Sequence, residues 1–387
     1  MSIIKKRRGV HEGRITIAVS ACERWIGNAI TCGLLRNLYD DDDEYRYRIH
    51  ATRRSRGEEC HIIALTRDPD NHYVRELEKD GAEIRETDFR SKESLDKALY
   101  DVDWLVFVAE SNKDRMEEAR MMAMSAKKND VGGIIVCSVL GVDEGNTRTH
   151  REFQEMERMW CNEMRNCVML RLGLLQQTLL LWSRMIKRER MLSMTPDGRQ
   201  DKLVPANFKD VIKAILHFVN DDEREIKRHR IYDLSGPDAI TPREIVHMLS
   251  YATRRDIEYE QMNREELEDY FRSLKGRDRY TDELEIDRRR GRRGDDRHRG
   301  DEAALDPHRF LPMREPEIEI VCDILEFATE EDMSLYLSND LRKLTHQEPI
   351  PMYQYIEENA EKFMKRGGDK GDRRRIQNYS GHFISRL

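Results

Sequence analysis

The feature of this sequence that most constrains its fold is a regular alternation of strand-length apolar runs with longer amphipathic stretches. The apolar runs are rich in β-branched residues and comprise RITIAVS at 14–20, HIIALTR at 61–67, VDWLVFVA at 102–109, GGIIVCSV at 132–139 and CVMLRLG at 167–173. Strands that are apolar on both faces and separated by helices are typical of a parallel sheet covered on both sides. Right-handed crossovers then predict an α/β fold with a doubly wound parallel sheet.

The composition narrows the class of protein. Charged residues make up 37% of the chain, yet 68 basic and 75 acidic residues nearly cancel to a net charge of −7, which argues against a general nucleic-acid binder. Seven cysteines without a CxxC pair argue against a disulfide scaffold or a zinc site and fit a reducing compartment. No apolar run reaches the ~18 residues of a membrane span, and the first residues lack the apolar core of a signal peptide. We expect a soluble cytoplasmic protein without a membrane or nucleic-acid partner.

The charge is concentrated in a few segments. Residues 40–60 and 275–302 have little apolar surface to bury and are predicted to be flexible insertions, and 367–387 is predicted to be a loose tail. The cluster Lys5-Lys6-Arg7-Arg8 is either a nuclear localisation signal or a chance run. The arginines of 288–293 lie between acidic residues, which favours a self-neutralised insertion over a nucleic-acid contact.

Five sequence segments, taken in order, resemble the NmrA-like family of atypical short-chain dehydrogenases/reductases, which includes NADPH-sensing regulators and quinone reductases. They are TRDPDN at 66–71, GAEIRETDFRSKESLDKALYDVDWLVFV at 81–108, LRLGLLQQ at 170–177, LSGPDAITPREI at 234–245 and LRKLTHQEPIPMYQYIEENA at 341–360. The resemblance runs over 13–365. It implies one Rossmann-like unit with a dinucleotide-binding core at 13–180 and a smaller, mostly helical C-terminal lobe at 181–365.

The loop after the first strand departs from the family pattern TGxxGxxG. Only the third glycine, Gly27, is present, and it is the one needed for packing the helix on the strand. Ala21 and Arg24 replace the two glycines that let a diphosphate approach, and Glu23 adds a negative charge. Arg24 could either clamp phosphates in their place or fill the pocket. The cofactor-binding positions that the resemblance implies are Ser20, Cys22, Arg24, Trp25, Ile26, Gly27, Arg67, Asp88 and Phe89.

Arg67 bears on the choice of cofactor. It follows the second strand, where an arginine accommodates the 2′-phosphate of NADP. The alternative is a surface arginine that pairs with Asp68 or Asp70. We therefore expect any cofactor to be NADP(H), with binding weakened or lost because of the altered loop.

The catalytic residues of the wider superfamily are largely missing. Ser138 matches the serine at the end of the fifth strand. The Tyr-x-x-x-Lys pair is absent, since no tyrosine lies between Tyr100 and Tyr232 and no lysine between Lys128 and Lys187. The family's alternative lysine falls on Phe153, although Glu157 matches its glutamate. His150 is expected to be solvated and not to substitute. No catalytic residue is therefore assigned.

Two hypotheses of different class follow. The first is a non-catalytic NmrA-like scaffold that regulates or binds a protein partner, with a weak NADP(H)-sensing role at most, in the cytoplasm or nucleus. The second is an NADP-dependent oxidoreductase that acts on a small carbonyl or quinone through unusual residues. The altered loop and the missing tyrosine and lysine favour the first.

Overall fold

The structure is a computed structural model, and it describes residues 15–39, 60–110, 112–220, 231–274 and 305–364. The predicted insertions at 40–60 and 275–302 lie outside these residues, apart from Cys60, as do the tail at 367–387 and the cluster from Lys5 to Arg8. None of the described helices combines the length and the apolar character needed to cross a membrane.

A seven-stranded parallel sheet forms the centre of the molecule. Its strands are β1 (Ile15–Val19), β2 (Cys60–Thr66), β3 (Glu83–Glu86), β4 (Trp104–Val108), β5 (Gly133–Val139), β6 (Cys167–Leu172) and β8 (Ile231–Leu234). They lie in the order β3-β2-β1-β4-β5-β6-β8, all parallel. The predicted doubly wound sheet is confirmed. Its direction of winding reverses between β1 and β4, and ligands of such sheets bind outside the carboxyl ends of the strands at this reversal.

Helices cover both faces of the sheet. They are α1 (Trp25–Tyr39), α2 (His72–Lys79), α3 (Lys92–Ala98), α4 (Arg115–Lys128), α5 (Arg148–Glu163), α6 (Ser183–Glu189) and α7 (Phe208–Asn220). One core packs α1 and α7 against residues such as Ile17 and Val19 of β1. The opposite core packs α3, α4 and α5 against the other face, which includes Ala18. This alternation along one strand explains why the strands are apolar throughout.

The C-terminal part forms a third core that is mostly helical. It contains α8 (Pro242–Thr253), α9 (Arg264–Ser273), α10 (Glu315–Glu330) and α12 (Met352–Glu358), together with a small parallel pair of β7 (Met191–Met194) and β9 (Glu258–Gln261). Helix α11 (Asp340–Thr345) instead packs on the α1–α7 side of the main sheet. The predicted helical lobe is therefore present.

Two elements have no clear signal in the sequence. After β6 the chain forms a 3-10 helix, Gln176–Trp182, before α6. Every residue of that 3-10 helix is buried, and Gln176 donates to the carbonyl oxygens of Pro205 and Ile350 at 3.1 and 2.7 Å. The strand β9 was missed because three of its four residues are exposed, so it has no apolar signal.

Gly27 fixes the start of α1 against the end of β1. A Cβ atom at this position would lie 2.4 Å from the carbonyl oxygens of both Ser20 and Ala21. These are backbone atoms of the turn itself, so no side-chain rotation can relieve the contact. Ala21 adopts a left-handed backbone conformation with φ of +56°, which costs an L-residue roughly 1–2 kcal/mol.

We predict that Gly27→Ala lowers the free energy of unfolding by about 1–3 kcal/mol, because the turn must move to admit the methyl group. Chemical denaturation measures this change. Gly33→Ala in the same helix is the control, since its Cβ would meet the flexible side chain of Ile212 rather than backbone. An equal or smaller loss for Gly27→Ala than for Gly33→Ala would contradict the role assigned to Gly27.

Candidate functional site

The turn between β1 and α1 lies at the reversal of the sheet and is tied to the neighbouring strands. The Ser20 hydroxyl donates to the carbonyl oxygen of Val108 at 2.9 Å and accepts from its N–H at 2.8 Å, which joins the ends of β1 and β4. The Cys22 N–H donates to the carbonyl oxygen of Leu65 in β2 at 3.2 Å. Burial raises the pKa of the Cys22 thiol, whose sulfur lies 3.2 Å from the Thr31 hydroxyl. Ser20 and Cys22 thus make internal contacts.

The first residues of α1 also contact the rest of the chain. The indole Nε1 of Trp25 donates to the carbonyl oxygen of Leu305 at 3.1 Å, and its ring stacks on Phe208. Ile26 is half-buried against the core that contains α1. The structure therefore places these two predicted cofactor-binding residues in packing contacts.

Three buried glutamates meet at the carboxyl ends of β1, β2 and β4. Glu23 comes from the altered loop, Glu110 follows β4 and Glu118 lies in α4, and each residue is at most 4% exposed. We call these three side chains the carboxylate cluster. One Glu23 carboxylate oxygen accepts from the Arg67 N–H at 3.4 Å, whereas the other oxygen is buried and, among the described residues, has no hydrogen-bond donor.

Arg67 supplies the central positive charge of the cluster. Its guanidinium lies 2.5 Å from Glu118 and 3.6 Å from Glu110, and it stacks over the Phe89 ring at 4.7 Å. Neither a free 2′-phosphate contact nor a surface ion pair, the two alternatives from the sequence, predicted this arrangement of Arg67. Asp68 and Asp70 are not its ion-pair partners among the described residues, and the guanidinium that could receive a 2′-phosphate is paired with carboxylates of the chain.

The pKa of Glu110 is shifted by its surroundings in the cluster. Burial and the neighbouring charge of Glu23 raise the pKa of Glu110 to about 8, against the smaller opposing effect of Arg67. Both carboxyl oxygens of Glu110 are buried without a hydrogen-bond donor in the described part of the chain. The adjacent loop carries Ala21 and Arg24 where the family pattern has its first two glycines.

Arg24, the other predicted phosphate contact, pairs with the C-terminal lobe. Its Nε donates to a carboxylate oxygen of Glu317 in α10 at 2.6 Å, and both side chains are more than four-fifths buried. Asp88, in contrast, lies on the surface and accepts from the Arg90 N–H at 2.9 Å. Phe89 is only 1% exposed. Of the nine predicted cofactor positions, Arg67 directly contacts the carboxylate cluster, and Phe89 lies against the Arg67 guanidinium.

The serine at the end of β5 belongs to a second buried network. The Ser138 hydroxyl donates to a Glu157 carboxylate oxygen at 2.6 Å. Arg171 in β6 binds both oxygens of Glu157 at 3.0 and 2.8 Å and reaches Asp143 at 2.7 Å. Ser138 and Glu157, the two residues that match the family here, are thus hydrogen bonded to each other, and Arg171 also binds Glu157.

The prediction that His150 is solvated is wrong. Its ring is fully buried, lies 2.7 Å from the Thr147 hydroxyl and 3.3 Å from the carbonyl oxygen of Leu140, and packs on Phe327. Burial lowers its pKa. The helix carrying His150 is charged overall, but this position faces the protein interior.

Comparison with known proteins assigns the chain to a family. The model of the NmrA-like family matches residues 50–285, which is more than half of the chain. The chain belongs to the NmrA-like family. No curated protein matches the sequence.

Solved structures show the same fold at low sequence identity. The triphenylmethane reductase of Citrobacter sp., complexed with NADP(H), is 16% identical with a TM-score of 0.61, over 88% of this chain and 99% of that one. The NADPH-dependent quinone oxidoreductase of Escherichia coli, complexed with NADPH, is 16% identical with a TM-score of 0.59, over the same shares of the two chains. NmrA, a negative transcriptional regulator in complex with NAD, is 14% identical with a TM-score of 0.57, over 89% and 95%. Nucleotide cofactors thus bind within this fold in its structural neighbours.

Sequence reasoning about this NmrA-like chain found Glu23 and Arg67 but missed Glu110, Glu118 and Glu317. Glu110 had a usable signal, since it comes two residues after a buried strand that ends at the sheet reversal. Glu118 lies in a helix with many charges, and Glu317 is distant in sequence. No local pattern links them to the loop.

We predict a specific pH effect for Glu110→Gln. Because the pKa of Glu110 is raised to about 8 in the folded protein and is about 4.3 when unfolded, the folded state binds more protons between these values. The contribution of Glu110 to stability therefore falls as pH rises from about 4.3 to 8. The glutamine variant should become more stable relative to native protein across this range, as urea unfolding at several pH values would show.

Glu117→Gln on the exposed face of α4 is the matched control for this experiment. It removes the same charge from a side chain that is 68% exposed. The difference in the free energy of unfolding between native protein and Glu110→Gln should change with pH. A constant difference would contradict the raised pKa of buried Glu110.

Proposed function

We propose that this NmrA-like protein is a non-catalytic scaffold that acts by regulation or by binding a protein partner, and that it binds NADP(H) weakly or not at all. The observation that carries the proposal is the carboxylate cluster around Arg67. It lies where the loop, α1 and the end of β2 would have to receive the phosphates of a dinucleotide.

The charge of Glu23 and the pairing of Arg67 both disfavour a diphosphate at the loop. Two like charges about 4 Å apart repel by roughly 1 kcal/mol in water and about 4 kcal/mol near a protein surface. A diphosphate placed on the loop would meet Glu23 in the loop itself, and the guanidinium of Arg67, which directly follows β2, already lies between Glu118 and Glu110. Binding would require these ion pairs to break without a replacement for the carboxylates.

The surroundings of Ser138 in the described part of the chain also support a non-catalytic role. Ser138 is bound to Glu157, and Phe153 is buried at the position of the family's alternative lysine. Tyr336 is the tyrosine that approaches this end of the sheet from the C-terminal lobe, with its hydroxyl 3.5 Å from Glu144. Burial and Glu144 raise the pKa of Tyr336 to about 12, which is opposite to the shift that a proton-donating tyrosine needs at neutral pH.

The structural neighbours support both hypotheses from the sequence. NmrA is a negative transcriptional regulator, which supports a regulatory role. The protein partner and the place in the cytoplasm or nucleus are part of the proposal. The quinone oxidoreductase and the dye reductase support the alternative, an NADP-dependent oxidoreductase acting on a small carbonyl or quinone. Arg67 at the end of β2 is the residue that favours this alternative. The first hypothesis is preferred because Arg67 is already neutralised.

The proposal predicts that calorimetry detects no NADPH binding to native protein at ~100 μM ligand, which corresponds to less than about 5.5 kcal/mol of affinity. The double variant Glu23→Gln/Glu110→Gln removes the charge of Glu23 and the ionisable group of Glu110 at nearly constant shape, and it should bind NADPH measurably, with preference over NADH through Arg67. Glu155→Gln/Glu163→Gln in exposed positions of α5 is the control and should behave like native protein.

Turnover tests the catalytic part separately. Neither native protein nor the double variant should oxidise NADPH with a simple quinone, because no proton relay is present at Ser138. Native turnover above the rate without enzyme would overturn the proposal and establish the oxidoreductase alternative.

A further inference from the structure

A segment of the C-terminal part crosses the entrance to the loop. Residues 305–314, which we call the strap, lead directly into α10. At one end, the Leu305 carbonyl oxygen accepts from Trp25 in the first turn of α1 at 3.1 Å. At the other end, the Arg314 N–H donates to Glu317, which binds Arg24 of the altered loop. The strap therefore runs from the start of α1 to the altered loop.

The middle of the strap is anchored on α2, the helix that follows β2. The Phe310 ring lies 4.7 Å from the Tyr73 ring, and the Arg309 guanidinium stacks on the same tyrosine at 4.6 Å. Arg309 also pairs with Glu76 in the next turn of α2. Leu305 and Phe310 are both at most 7% exposed. These contacts fix the position at which α10 begins.

The strap places one carboxylate of α10 on the altered loop. Glu317, in the first turn of α10, binds Arg24 through one oxygen at 2.6 Å, and its other oxygen accepts from the Arg314 N–H at 2.8 Å. Arg24 stands in the second glycine position of the family loop. Its guanidinium is the positive charge of the loop itself, and in this structure an anion of the same chain already neutralises it.

We propose that the strap and Glu317 form an autoinhibitory contact, in which the Glu317 carboxylate competes for Arg24 with ligands that carry a diphosphate. This inference rests on the proposed function and gives its weak cofactor binding a second cause, distinct from the carboxylate cluster. A diphosphate offers more negative charge and more acceptor oxygens than a carboxylate. Rotation of the Glu317 side chain would suffice to release Arg24, since the strap anchors need not move.

The test compares Glu317→Gln with Glu315→Gln. Glutamine at 317 can still accept from the Arg314 N–H, as capping boxes use either residue, so the start of α10 is retained. Glu315 lies two residues earlier in the same helix and pairs with Arg272 on the surface. Both variants lose one negative charge, but only Glu317→Gln removes the carboxylate partner of Arg24.

Binding is measured by ligand-observed NMR with NADPH and, separately, with inorganic pyrophosphate, each titrated to about millimolar concentration. Glu317→Gln should bind both probes about tenfold more tightly than native protein, as expected for loss of one competing charged contact. Glu315→Gln should match native protein. The double variant Arg24→Gln/Glu317→Gln should lose the gain, because the competition is for Arg24.

The inference would be overturned if native protein and folded Glu317→Gln bound both probes with equal affinity. It would also be overturned if Arg24→Gln/Glu317→Gln bound the probes as tightly as Glu317→Gln. The absence of binding by every variant, with folding verified by circular dichroism, would also overturn it. Failure of the proposed function is distinguishable, because that would appear as quinone turnover or as tight NADPH binding by native protein. Neither of these results depends on the ratio of the affinities of Glu317→Gln and Glu315→Gln for the two probes.

Discussion

The interaction on which the site depends is the contact of one guanidinium, that of Arg67, with the carboxylates of Glu118 and Glu110. Burying a carboxylate is unfavourable unless it is paired or protonated. Glu118 obtains an ion pair and a hydrogen bond from Asn112 at 3.0 Å. Glu110 is left with the longer contact, and its burial together with the charge of Glu23 raises its pKa. Arg67 thus stabilises an acidic interior, with a further contact at 3.5 Å between Arg90 and Glu118.

The fold brings these charges together. Parallel strands end at the same edge of the sheet, so the loop after β1, Arg67 after β2 and Glu110 after β4 necessarily meet at the reversal. The Ser20 hydroxyl joins β1 to β4, and Gly27 lets α1 start directly on the turn. These two features preserve the geometry of a dinucleotide-binding fold. What differs is the chemistry of the side chains placed on it.

The sheet could be predicted from the sequence because its signal is local. The apolar runs from RITIAVS to CVMLRLG each form a strand, and the helix α1 follows the first of them, in keeping with the predicted alternation. Gly27 and the substitutions in the loop could also be identified from the sequence, because they lie within one short segment. The partners of Arg24 and Arg67 were not predictable, since Glu317 is 293 residues from Arg24 in the chain. His150 was misjudged because the average charge of a helix does not reveal the direction of one side chain.

The central claim is that side chains of the chain itself occupy the place of the dinucleotide phosphates. Crystals grown in about millimolar NADPH would test it most directly, since this concentration exceeds a Kd of ~100 μM. The account predicts density for Glu317 on Arg24 and for Glu118 on Arg67, with no nucleotide over the turn between β1 and α1. A dinucleotide bound across that turn, with its diphosphate on Arg24 and its 2′-phosphate on Arg67, would contradict the account.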